Sequence, residues 1–163
     1  MDAIADLRRK MDIKAFIIGR GIQDYVSYLK EYAKNKGLEN TLEFVGYVEN
    51  VQDWYLKSDI VVMASRAEAF GRVTVEAMMS GCLVVGADSG GTSEIITDGI
   101  TGILYVAGVK DDLQNKVEYA VRNKESSRRI AENGRVIAEV NYSTSKNVNE
   151  IFNVYNNALG KSS

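Results

Sequence analysis

Short apolar, β-rich runs alternate along this chain with longer stretches in which apolar residues recur at helical spacing. The runs AFIIG (15–19), LEFV (42–45), IVVM (60–63), LVVG (83–86) and GILYV (102–106) read as strands. Between them, Val26, Leu29 and Ala33 line one face of a helix that stops at Gly37, and Trp54 and Tyr55 belong to a short helix capped by Asn50. Another helix starts near Arg72 and ends at Gly81. This alternation predicts an α/β fold, a Rossmann-like open parallel sheet flanked by helices. Segments 111–123, 126–140 and 143–159 then read as helices with no strand among them, so the sheet ends near Val106 and extra C-terminal helices follow. Such a terminal run packs across a sheet edge or reaches toward a neighbouring domain, and the pattern leaves both open. Proline is absent, so the boundaries rest on glycines and cap residues.

Composition narrows the picture. At 163 residues the chain fits a single domain (1–163), which at this size buries roughly 70% of its unfolded surface. Hydrophobic residues make up 45% and charged residues 26%. No apolar run approaches the roughly 18 residues of a membrane span, and the opening MDAIADLRRK has no secretory signal, so a soluble protein is expected and membrane association is not indicated. Lone Cys82 fits a reducing compartment, and the expected location is cytoplasmic. The absence of histidine removes Ser-His-Asp and Cys-His catalysis and most zinc sites. A net charge of −2 with both signs interspersed excludes a broad nucleic-acid footprint. The tight basic cluster Arg8, Arg9, Lys10 reads as a solvated helix end.

Right-handed crossovers place the loops after the strands' carboxyl ends along one crevice, where ligands bind. Those loops are 19–22, 46–50, 64–72 and 87–93. The most informative stretch, SRAEAFGRVTVEAMMSGCLVVGADSGGTSEII (65–96), passes from a strand through Phe70 and Gly71 into a helix. A helix that starts just after a glycine turns unpaired N–H groups and its positive dipole end toward the crevice, which suits a diphosphate. Arg72 adds a bidentate phosphate grip, and Glu68 and Glu76 bracket the anion site with carboxylates able to accept bonds from hydroxyls.

Glu68, Phe70, Gly71 and Glu76, followed by EAM (76–78), Gly81, Val84, Val85, Gly90, Gly91, Glu94 and Gly102, resemble the signature of the retaining glycosyltransferases of family four (glycosyl transferases group 1), which have the GT-B fold. The likeness extends through FIIGRG, FVGYV and SDIVVMAS and covers residues 15–157. It implies the nucleotide-sugar-binding half of a GT-B enzyme, with Glu68, Ala69 and Phe70 at the donor sugar and Gly71, Arg72 and Val73 at the diphosphate. It further implies Glu76 at the ribose, and Tyr47 and Val48 flanking the base. Leu83 stands where the family usually has proline, and Ala69 where it often has glycine. The resemblance also implies an earlier strand followed by an Arg and a Lys that clamp the diphosphate, and a separate N-terminal acceptor-binding domain. Neither is in this sequence, and Arg20 is a poor substitute for the clamp. The chain is therefore expected to be a donor-binding fragment that binds a nucleoside-diphosphate sugar as substrate and turns nothing over alone. No cofactor is expected, and no metal, since there is no His and no Asp-x-Asp pair at a strand end.

Two other classes compete: a nucleotide-sugar epimerase of GT-B architecture, and a non-catalytic α/β binding module. The Glu-Phe-Gly-Glu constellation favours the transferase. GRGIQD (19–24) begins like a dinucleotide fingerprint, but Asp24 holds the third glycine position, so Gly19 and Gly21 read as a tight turn. Tyr25, Tyr28, Tyr32, Trp54 and Tyr55 read as core or edge packing, and Cys82 as a small buried hydrophobe.

Overall fold

A computed structural model describes residues 1–65, 71–109 and 111–142. The element order is α1 (Asp2–Leu7), β1 (Ala15–Ile18), α2 (Gln23–Asn35), β2 (Leu42–Gly46), α3 (Gln52–Tyr55), β3 (Ile60–Met63), α4 (Arg72–Met79), β4 (Leu83–Ala87), α5 (Gly90–Ile95), β5 (Ile103–Tyr105), α6 (Asp112–Arg122) and α7 (Lys124–Tyr142). All five predicted strands are present, with no end moved by more than one residue. The N-cap of α3 is Val51, not the predicted Asn50, which lies one residue earlier and whose side-chain oxygen accepts from the Gln52 N–H at 3.1 Å in a tight turn. The predicted helix 143–159 lies outside the described residues.

Every ladder is parallel, as predicted, but the strands form two sheets where one is expected: β1 with β2, and β3-β4-β5. Apolar patterning specifies that a strand is buried, not which strand it pairs with, so the break between β1 and β3 leaves no trace in the sequence. It does show in burial. All of β4 is buried, whereas Phe16 in β1 and Val62 in β3 are 41% and 42% exposed.

The two-residue period of β4 divides the core. Leu83, Val85 and Ala87 pack with Ile103, Tyr105, Ala120, Ile130 and Ala131 under α6 and α7. Val84 points the other way and packs with Tyr55, Met63, Ala77, Met78, Cys82 and Ile96 under α3 and α4. Helices therefore cover both faces, the arrangement a fully apolar parallel strand demands. A third cluster joins Ala5 of α1, Ala33, Leu38 and Leu42 over one face of the β1-β2 sheet.

Helix α1 has too few residues for a periodic signature and is held by its partners. Arg8 donates to the Gly37 carbonyl at 2.6 Å and so satisfies the end of α2, and Lys10 pairs with Glu118 of α6 at 2.7 Å. Tyr32 donates to Asp2 at 2.7 Å, and the Lys36 ammonium beside Asp2 holds its carboxyl below the usual range. The basic cluster is thus at a helix end, as expected, yet Arg8 and Lys10 bind neighbouring helices where solvation alone is predicted. Six residues carry charge but no record of a distant carbonyl needing a donor.

The terminal helices pack across the sheet. In α7, Ile130 and Ala131 join one core cluster and Ala138 the other, so the helix passes from face to face. It does so beside the strands' amino ends, where Asn133 donates to the Ile100 carbonyl at 3.2 Å. A Cβ added at Gly134 would stand 2.5 Å from the Thr101 carbonyl oxygen. Gly134→Ala is accordingly expected to lower the unfolding free energy by about 1–3 kcal/mol through overpacking. Urea melts check this, and an unchanged midpoint would contradict the close approach of α7.

Candidate functional site

Helix α4 begins on Gly71, which has φ 63° and ψ 23°, a left-handed conformation that favours glycine. A side chain is excluded for a second reason, since a Cβ there would collide with the Ile95 methyl of α5. The carbonyl of Gly71 accepts from Val75 N–H at 3.0 Å, which closes the first turn. No side chain among the described residues caps the helix, leaving the N–H groups of Arg72 and Val73 open at its start. The predicted diphosphate residues Gly71, Arg72 and Val73 are thus brought together at one helix terminus.

Glu76 lies one turn further on. Its carboxylate pairs with Arg72 at 3.6 Å, with the two side chains 39% and 84% exposed. An exposed pair at that spacing contributes little to stability, so an incoming anion displaces it at small cost. The α4 and α5 starts are joined below the surface, where the buried hydroxyls of Thr74 and Thr92 share a 3.4 Å hydrogen bond. Helix α5, unmarked by the sequence pattern, sits close on β4 because Gly86 has no side chain; a Cβ there would strike Thr92.

Tyr47 and Val48 follow the carboxyl end of β2, on the other sheet. Gly19 N–H donates to the Gly46 carbonyl at 2.8 Å, tying together the two loops that leave β1 and β2. Tyr47 is 59% exposed, and the Arg20 guanidinium stacks over its ring at 3.9 Å. Glu68, Ala69 and Phe70, expected at the donor sugar, lie outside the described residues.

Nothing in the sequence marks Ser89, yet its hydroxyl, in the turn after β4, is buried without a hydrogen-bond partner among the described residues. Tyr55 shows the same feature inside the core; burial, and then the Glu76 charge, push its phenol up to about 12. The predicted aromatic packing divides: Tyr55 is buried, Trp54 meets Phe16 edge-on at 5.1 Å, and Tyr25 and Tyr28 stack at 6.3 Å on the exposed side of α2. A hollow of about 250 Å³ lies elsewhere, beside Asp2, Asp6, Tyr105 and Asp111. Its carboxylates disfavour a diphosphate, so the α4 terminus is the better anion site. Among the described residues no helix is long and apolar enough to cross a membrane, and no group of three or more His, Cys, Asp or Glu is placed to hold a metal ion.

The family model "Glycosyl transferases group 1" matches residues 1–136. The chain is similar to the lipopolysaccharide core biosynthesis mannosyltransferase LpsB of Rhizobium meliloti (strain 1021), with 32% identity over 164 residues that cover 96% of this chain and 46% of that protein. It is also similar to N-acetyl-alpha-D-glucosaminyl L-malate synthase of Bacillus anthracis, at 27% identity over 98% of this chain and 41% of that protein. The chain therefore spans about half the length of the curated relatives it matches. Among solved structures, Anabaena Alr3699/HepE in complex with UDP superposes with a TM-score of 0.89 at 28% identity, over 96% of this chain and 45% of that one. A glycosyltransferase from Rickettsia africae ESF-5 superposes with a TM-score of 0.92 at 25% identity, over 99% of this chain and 44% of that one.

Cys82 takes no part in the anion site. It is 3% exposed, its thiol donates to the Tyr55 carbonyl at 3.0 Å, and burial pushes its pKa up to about 11. At pH 8, well below that value, the group is a thiol and a poor nucleophile. A disulfide reagent should leave it unmodified in the native chain at pH 8 and modify it promptly in denaturant. Rapid native modification would show that Cys82 is neither buried nor protonated as described.

Proposed function

From the premise that the chain belongs to the group 1 glycosyl transferases, we propose that it is the donor-binding half of a retaining glycosyltransferase and holds a nucleoside-diphosphate sugar. The observation that carries this reading is the uncapped start of α4 on left-handed Gly71, with Arg72 and Glu76 paired beside it. In that pair the cation and the hydroxyl acceptor are held ready, and each has a better partner in a nucleotide than in the other.

The diphosphate takes the N–H groups and side chain of Arg72 together with Val73 N–H, next to Gly71. The ribose is held by Glu76, the base lies between Tyr47 and Val48, and the sugar is read by Glu68, Ala69 and Phe70. The similar Anabaena protein forms a complex with UDP, which makes UDP and its sugar conjugates the first probes. The acceptor is held by an N-terminal domain of a longer protein, and the unpaired edges of β1 and β3 suit the earlier strand that the resemblance implies. We place the protein in the cytoplasm on the strength of its single, buried cysteine.

Thermal shift against ADP, GDP, UDP and their sugar conjugates tests the reading, because a ligand that binds only the folded chain raises its melting temperature. Glu76→Ala should weaken the nucleotide that binds by about 1.5–3 kcal/mol, the contribution of hydrogen bonds to a charged group. No shift with any nucleotide would remove the donor-binding reading. The sugar contact has its own test by calorimetry. Glu68→Gln should weaken the nucleotide sugar by about 1–2 kcal/mol and leave the bare diphosphate nearly unchanged. Equal losses for the two ligands would take Glu68 out of the sugar site.

A further inference from the structure

Tyr55 closes the α3 turn and is 5% exposed, packed with Met63, Ala77, Met78 and Cys82. A buried phenol ordinarily finds a partner for its hydroxyl, since otherwise the oxygen loses water and gains nothing. Here the oxygen has no partner among the described residues. Phenylalanine would fill the same space without leaving a polar atom stranded, so packing does not account for the hydroxyl.

The cluster around the ring includes Ala77 and Met78, the two residues that follow Glu76 on α4. Glu76 is also the carboxylate whose charge acts on the phenol. That carboxylate is turned toward Arg72, the residue a diphosphate draws away. We propose that Tyr55 is a positioning residue for nucleotide binding: its buried hydroxyl donates to the Glu76 carboxylate once Arg72 has left, and holds it toward the ribose. This rests on the reading of Glu76 as the ribose contact. A carboxylate has two oxygens with about four acceptor positions, so one oxygen takes the phenol proton from within the core while the other faces the ribose hydroxyls. The orphaned hydroxyl is then the device by which the core orients a surface glutamate.

The test is calorimetry with UDP and GDP, and with the 2′,3′-dideoxy form of whichever binds, on the wild type, Tyr55→Phe, Glu76→Ala and the double variant. Tyr55→Phe should weaken the ribonucleotide about three- to tenfold and leave the dideoxy form within about twofold. It should add no loss in the Glu76→Ala background, the mark of a shared interaction. The ligand-free melting temperature should stay level or rise, because the variant removes a stranded polar atom. If Glu76→Ala weakens binding and Tyr55→Phe does not, the ribose reading stands and the role of Tyr55 is overturned. Additive losses, equal losses for the two nucleotides, or a large drop in the ligand-free melting temperature overturn it as well. An unaffected Glu76→Ala, or no binding of either nucleotide, overturns both.

Discussion

The structure depends on one strand that no side of the molecule leaves wet. All five residues of β4 are buried, with odd positions facing one apolar cluster and even positions the other. A strand of this kind is stable only with a layer on each face, so α6 must lie on one side and α4 and α5 on the other. The long helix α7 then seals the bottom, crossing from one cluster to the other beside the strands' amino ends. With that end occupied, the start of α4 after Gly71 and the turn at Ser89 lie at the strands' carboxyl ends.

Much of this is legible in the sequence because burial on both faces leaves an unmistakable mark: LVVG, the run that becomes β4, has no polar position at all. What resists reading is whatever lacks period or depends on distant pairing. GGTSEI has two glycines and no apolar stripe, so α5 is helical through its packing on Gly86 and its Thr92–Thr74 link, not through propensity. Helix α1 is equally short, and its anchor, Arg8 on the Gly37 carbonyl, joins residues 29 apart in sequence. The division into two sheets is a fact about partners, and hydrophobic runs carry no information about partners.

The site divides along the same line. Gly71 was open to inference because a glycine at a helix start has few reasons to be there, and its left-handed conformation and the nearby Ile95 supply two of them. The stranded hydroxyls of Ser89 and Tyr55 are invisible by comparison, since a serine or tyrosine looks the same whether or not a partner awaits it. Charge behaves likewise. Arg72 and Glu76 suggest separate contacts when read in sequence, and in space they neutralise each other until something more strongly charged arrives.

The break between β1 and β3 bears on the chain's behaviour in solution. Each strand keeps a row of backbone donors and acceptors without a ladder partner among the described residues, with Phe16 and Val62 partly bare beside them. Unpaired rows of this sort are templates for extended polypeptide of any origin, including a second molecule of the same chain. Neither strand carries a proline or a charged residue, so the guards that remain are their length of four residues each and the register irregularity between Ile17 and Ile18. Where no further strand fills the gap, association at high concentration is therefore favoured by a feature of the backbone, which net surface charge alone does not remove.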